Sequence, residues 1–189
     1  MQKIFVVRHG QDEDNAAGIL NGRRDMELTE LGKRQAGETA QKLKSYGIEI
    51  IYTSPLKRAY ETARIIAEHI GIDEIIVDEH LIEREYGSLT GTRIDEIEKN
   101  AKKIFKSHGA TYFIEADGAE SYAKVLERAK KIMEEITDRQ PEKTILIVAH
   151  SGIARMLKAV YFQRTWEDEL KEPPIQNGGV VQLSPWPRE

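Results

Sequence analysis

Thr144-Ile145-Leu146-Ile147-Val148-Ala149, with His150-Ser151-Gly152 directly behind it, is the stretch on which the fold turns. A strand buried on both faces reads as an unbroken apolar run, whereas a half-exposed strand alternates. This run therefore predicts a strand deep in a largely parallel sheet. In open α/β sheets, ligands bind beyond the carboxyl ends of the strands, so the polar residues behind the run mark a candidate site. Ser151 is read as the cap of a helix reaching about Phe162.

Outward from this run the same alternation recurs. Ile4–Val7 is a second short apolar strand, followed by Arg8-His9-Gly10. Thr29 caps a predicted helix that runs to about Tyr46 and stops at Gly47. Ile50–Tyr52 is the next strand. Ser54-Pro55 then has the form of a helix start, with serine capping and proline at the first position. Ala59, Ala63, Ile66, Ala67 and Ile70 keep helical spacing up to Gly71. Ile75–Val77 and Val180–Leu183 complete the predicted strands. Strands alternating with helices predict a three-layer α/β/α fold with a mostly parallel central sheet. The 189 residues suit a single domain, residues 1–189. Ile94 to Asp138 reads as mostly helical and charged, broken around His108–Gly118. A small helical cap, about residues 86–121, is expected over the site.

The residues just past each strand form a chemical set. Arg8 and His9 follow the first strand, Ser54 and Arg58 the second, Glu83 the third, and His150-Ser151-Gly152 the fourth. Two arginines, two histidines and one carboxylate would make a cationic pocket holding one acid. Phosphoryl transfer needs charge placed around three equatorial oxygens, and arginine supplies that without losing its own charge. The helix starts at Ser54 and Ser151 are expected to add backbone N–H groups to the same anion. A neutral imidazole can attack phosphorus, and a nearby carboxyl can protonate the leaving oxygen.

The motifs resemble those of the histidine phosphatase superfamily, the phosphoglycerate-mutase-like fold. Arg8-His9-Gly10 with Asn15 is similar to its first motif, and Asn21-Gly22 with Asp25, Leu28-Thr29 and Gly32 to the next. Tyr52-Thr53-Ser54-Pro55-Leu56-Lys57-Arg58-Ala59, Leu81-Ile82-Glu83-Arg84-Glu85-Tyr86-Gly87 and Ala149-His150-Ser151-Gly152 follow in family order. The resemblance implies His9 as phosphorylated nucleophile, with Arg8, Arg58 and His150 gripping the phosphoryl oxygens. Glu83 would be general acid and then base. Gln11, Asn15, Asn21, Gly22, Tyr86, Ser151 and Gly152 would contact substrate. No metal and no cofactor is implied, and the partner is a small phosphorylated substrate. Gln11 and Asp12 stand where members often carry glutamate and a small hydroxyl residue. Asp14 replaces a tryptophan usual in mutases, and Ala-His-Ser-Gly replaces their Gly-His-Gly. Because cofactor-dependent mutases of the family are longer, a phosphomonoester phosphatase is the expected activity. A phosphoglycerate mutase is the alternative, and a phosphate-sensing protein without turnover a third reading.

Composition narrows the field. The net charge of −4 supplies no basic field for nucleic acid or an acidic membrane, and no cysteine is available for disulfides, thiolate metal sites or nucleophilic catalysis. No signal-like or membrane-length apolar run occurs, so a soluble cytoplasmic protein is expected; a homodimer is compatible with the sequence. Asp12-Glu13-Asp14 lacks the spacing of an EF-hand loop, and nothing completes a metal site around His80 and Glu83. His69 and His108 are expected on the surface, and Trp166 and Trp186 in packing roles.

Overall fold

A computed structural model describes residues 2–183. Seven strands form, in chain order, β1 (Lys3–Arg8), β2 (Ile50–Thr53), β3 (Ile75–Val77), β4 (Lys103–Ser107), β5 (Ala110–Glu115), β6 (Thr144–Ala149) and β7 (Val180–Leu183). Five join one sheet in the order β3-β2-β6-β1-β7, parallel throughout except for β7. The apolar run at Thr144–Ala149 is thus the central strand, as its composition demands.

Alternate residues of the strands feed two cores. Ile4, Val6, Ile145, Ile147 and Ala149 pack on one face beneath α5 (Tyr122–Arg139) and α6 (Ser151–Tyr161). Phe5, Val7, Leu146 and Val148 pack on the other beneath α2 (Glu30–Leu43) and α3 (Lys57–Ile70). Short helices α1 (Glu13–Ala17), α4 (Ile97–Asn100) and α7 (Trp166–Leu170) fill the connections. Trp166 stacks on Tyr122 with ring centroids 5.5 Å apart, the packing role expected of it; Trp186 lies outside the described residues. His69 and His108 are exposed. No helix among the described residues is long and apolar enough to cross a membrane.

Three expectations need correction. Ser54-Pro55 does not start α3: Leu56 is its N-cap, and the Ser54 hydroxyl accepts from the Leu56 N–H at 3.3 Å. Ser151 is the first residue of α6 rather than its cap, the capping position falling on His150. The segment 86–121 is not helical. It holds two 3-10 turns, the single turn α4 and the antiparallel hairpin β4–β5. His108 and Gly109 close that hairpin with φ of 49° and 72°, the left-handed pair that a two-residue hairpin turn requires. Histidine is a rarer occupant of that position than asparagine or aspartate, which hid the turn from a reading by residue type.

Parallel register then assembles the site. Arg8 lies opposite Ala149 and Thr53 opposite Val148, so His9, Ser54 and His150 emerge side by side. The His9 N–H donates to the Ala149 carbonyl at 2.9 Å, extending the ladder to the nucleophile position itself.

Candidate active site

His9 is buried at the end of β1. Its Nδ1 lies 2.7 Å from the Gly10 carbonyl, which can only accept, so Nδ1 carries the proton and Nε2 keeps its lone pair. Gly10 and Gly32 make this turn possible: a Cβ on Gly10 would collide with the Gly32 carbonyl, and one on Gly32 with the Gln11 carbonyl. The His150 ring lies 5.0 Å from the His9 ring, centroid to centroid. Its Nδ1 accepts from Arg58 Nε at 3.2 Å, leaving Nε2–H to donate to the Ser54 hydroxyl at 2.7 Å.

Arg58, fully buried, is the hub. Its Nε faces His9 Nε2 at 3.3 Å, His150 Nδ1 at 3.2 Å and Asp12 Oδ2 at 3.2 Å. The two ends of its fork donate to the carbonyls of Arg24 (2.5 Å) and Gly22 (2.8 Å). Only the Nε edge therefore faces the imidazoles, whereas the resemblance implied a guanidinium gripping the phosphoryl oxygens. Asp12, standing where members often carry a small hydroxyl residue, is the buried counter-ion of Arg58. It also accepts from the Asn15 N–H at 2.7 Å and from the Asn21 amide at 2.5 Å. Burial raises the Asp12 carboxyl, while these bonds and Arg58 pull it back down.

Glu83 lies at the start of α6. Its carboxylate accepts from the N–H groups of Gly152 (3.0 Å), Ile153 (3.3 Å) and its own neighbour Arg84 (2.7 Å). A Cβ on Gly152 would come within 2.5 Å of Glu83 Oε1, so glycine is what admits the acid there. These N–H groups were expected to serve the substrate anion and instead orient the carboxylate two residues beyond His150. At α3 likewise, the Lys57 N–H donates to Asp25 at 2.7 Å.

A cleft of about 770 Å³ opens beside this cluster, bordered by Arg8, Asn15, Asn21, Tyr86, Ser151 and Gly152. Arg8 donates to the Ile175 carbonyl at 3.0 Å, and its buried Nε has no partner among the described residues. Asn21 borders the cleft but spends its amide on Asp12, and Gly22 contributes its carbonyl to Arg58. Gln11 does not border it: its Oε1 accepts from the Thr29 hydroxyl at 3.0 Å, at the start of α2. A second depression of about 910 Å³, on the outer face of α5 and α6, has no histidine among the described residues lining it.

Asn177 escaped the sequence reading. Its amide donates to the His9 carbonyl at 3.1 Å and to Asn15 Oδ1 at 2.9 Å. Residues past the carboxyl ends of the parallel strands face the site, but β7 is antiparallel, so the loop before it reaches the site instead. The Asn177-Gly178-Gly179 turn just ahead of Val180 was the available signal.

Burial, reinforced by the charges of Arg58 and Arg8, holds the His9 imidazole well below its ordinary range. Burial, then Arg58, does the same to His150. Both are neutral in the folded state where a free imidazole, of pKa about 6.5, begins to protonate. Below that pH the unfolded chain binds protons that the native site refuses, so stability falls as pH falls. The slope is at most about 1.4 kcal/mol per pH unit for each imidazole. The urea midpoint is expected to drop between pH 7 and 5, and less steeply in His150→Gln. Parallel profiles for the two proteins would refute the assignment.

Residues 4–189 match the family described as histidine phosphatase superfamily (branch 1). Phosphoserine phosphatase 1 of Hydrogenobacter thermophilus is 36% identical over 152 residues, covering 80% of this chain and 72% of the relative. A 2,3-bisphosphoglycerate-dependent phosphoglycerate mutase of Parvibaculum lavamentivorans is 38% identical over 161 residues, 82% of this chain and 77% of the relative. Among solved structures, a mycobacterial glucosyl-3-phosphoglycerate phosphatase in complex with VO3 superposes with a TM-score of 0.85 at 26% identity, covering 97% and 93% of the two chains. The chain belongs to branch 1 of the histidine phosphatase superfamily.

Proposed function

We propose that this chain is a phosphomonoester phosphatase for small phosphorylated metabolites, working through a phosphohistidine on His9. The observation that carries the reading is the His9 imidazole itself. It is neutral, its Nδ1 proton tied to Gly10, and its Nε2 lone pair faces the cation of Arg58 beside His150.

In the first step Nε2 attacks phosphorus and the ester P–O bond breaks. The departing oxygen takes its electron pair and a proton from the Glu83 carboxyl. Arg8 and Arg58 place positive charge beside the equatorial oxygens, with the neutral His150 imidazole adjoining them. Water then attacks the phosphohistidine, gives its proton to the Glu83 carboxylate, and the P–N bond breaks to release phosphate. Asn177 and the Gly10 carbonyl hold the backbone and ring of His9 in line throughout, as positioning groups.

The test is phosphate release from a panel including p-nitrophenyl phosphate and the phosphoglycerates. The identity to a phosphoglycerate mutase makes transfer to a second substrate the competing reading. Interconversion of phosphoglycerates in the presence of bisphosphoglycerate, without phosphate release, would establish it.

Glu83→Gln separates the acid from the other groups. Esters of alkyl alcohols, whose leaving oxygen needs a proton, are expected to lose about 10²–10⁴-fold in kcat/KM. p-Nitrophenyl phosphate, with a good leaving group, should lose far less. Equal losses across a leaving-group series would remove Glu83 from the role.

A further inference from the structure

The part of the cleft beyond the phosphate end has an unusual charge account. Six acidic or basic residues border it there: Arg84, Arg93, Asp95, Glu98, His108 and Arg155. Arg84 is buried and donates to the carbonyls of Phe113 (2.8 Å), Ile114 (3.0 Å) and Glu120 (2.7 Å), its guanidinium lying over the Phe113 and Tyr122 rings. Arg155, also buried, donates to the carbonyls of Glu169 (2.7 Å) and Glu172 (3.1 Å) and to the Tyr112 hydroxyl (2.7 Å). Its remaining Nε is sealed from solvent. Arg93 is paired with Asp95 at 3.1 Å, and Glu98 with Lys106 at 2.6 Å. His108 Nε2 donates to the Lys171 carbonyl at 2.7 Å. Between these groups stand Ile19, Leu20, Ile94, Ile97 and Phe113.

Resting on the phosphatase reading, we infer that the enzyme takes phosphomonoesters of uncharged, partly apolar alcohols and selects against esters whose alcohol carries a carboxylate. A carboxylate entering this wall would leave water and meet aliphatic side chains, with the acids Asp95 and Glu98 at the rim. No cation bordering this part among the described residues reaches it unpaired: two are locked to backbone carbonyls and the third already holds an acid. Arginine commonly grips a carboxylate through a parallel pair of N–H groups. Here Arg84 and Arg155 spend theirs on carbonyls and the Tyr112 hydroxyl, and Arg93 turns its Nε edge to Asp95. A neutral carbon chain would meet apolar surface and lose no charge hydration. The relatives named above for phosphoserine, phosphoglycerate and glucosyl-3-phosphoglycerate have acidic substrates in their names, so the preference inferred for this chain departs from theirs.

Glycerol 3-phosphate and 3-phosphoglycerate are a matched pair, differing only in a hydroxymethyl group against a carboxylate. The expected kcat/KM for glycerol 3-phosphate exceeds that for 3-phosphoglycerate by about tenfold or more. Asp95→Asn, an exposed change outside the catalytic cluster, frees Arg93 and removes a rim charge. It should narrow the ratio by about fivefold while leaving p-nitrophenyl phosphate hydrolysis unchanged. Equal or higher kcat/KM for 3-phosphoglycerate, with p-nitrophenyl phosphate still hydrolysed, would overturn the inference alone. A ratio unmoved by Asp95→Asn would overturn its electrostatic basis. Absence of release from every ester would overturn the phosphatase reading and this inference with it.

Discussion

In a His9→Ala variant, phosphate release from p-nitrophenyl phosphate is expected to fall by on the order of 10⁴-fold or more. No neighbour can replace the lost nucleophile. His150 is the nearest imidazole, but its Nδ1 accepts from Arg58 and its Nε2 is bonded to Ser54. It would have to give up the Arg58 bond to present its Nδ1 lone pair, because Nε2 carries the proton bonded to Ser54. The fold should survive, because the strand ladder around residue 9 is made by backbone groups and the variant loses one buried ring with its bond to Gly10. A cost of about 1–3 kcal/mol is expected from that loss. Covalent labelling gives the decisive readout. Wild type quenched during turnover of a phosphate-labelled ester should carry an acid-labile, base-stable label, and His9→Ala should carry none while still binding inorganic phosphate. Retained label or turnover would place the nucleophile elsewhere.

The legible parts of this protein are those where one residue type has one physical use. The unbroken apolar run at Thr144–Ala149 has the length and β-branched content of a doubly buried strand, and from it followed the sheet and the edge on which Arg8, His9 and His150 meet. What stayed hidden depended on partners far apart in sequence. Asp12 read only as a departure from the family's small hydroxyl residue, because Arg58, which it neutralises, lies 46 positions later. Gln11 looked like a ligand contact because nothing local showed that Thr29 would take its side chain. The hairpin at β4–β5 was obscured by the left-handed His108, and Asn177 by the reversed direction of β7. The N–H groups of α6 were assigned to the substrate on a sound general rule, yet Glu83 arrives first and uses them. That choice matters for the chemistry, since it places the proton carrier where the helix could have held only phosphate.

Arg58→Met should abolish turnover and also destabilise the fold, by about 3–5 kcal/mol, because it removes one half of a buried ion pair. Asp12 would be left fully buried with only the Asn15 N–H and the Asn21 amide as partners, and the carbonyls of Gly22 and Arg24 would lose their donors. Burial already raises the Asp12 carboxyl, and loss of Arg58 takes away one of the groups pulling it down. In the variant the folded state therefore holds the Asp12 proton to higher pH than the unfolded chain does. The Asp12 contribution to stability is then greatest at acid pH and is lost as pH rises through the raised value, so the deficit against wild type should be smaller at pH 5 than at pH 8. Adding Asp12→Asn removes the orphaned charge and should recover a substantial part of the lost stability, measured by urea denaturation at pH 8. It should recover no activity, because the cation that faces His9 and His150 is still missing. A double variant no more stable than Arg58→Met would show that Asp12 is not the counter-ion. A double variant with restored turnover would show that Arg58 serves the fold alone. The two measurements separate the structural work of this guanidinium, done through Asp12 and two carbonyls, from its work at the imidazoles, done through a single shared N–H.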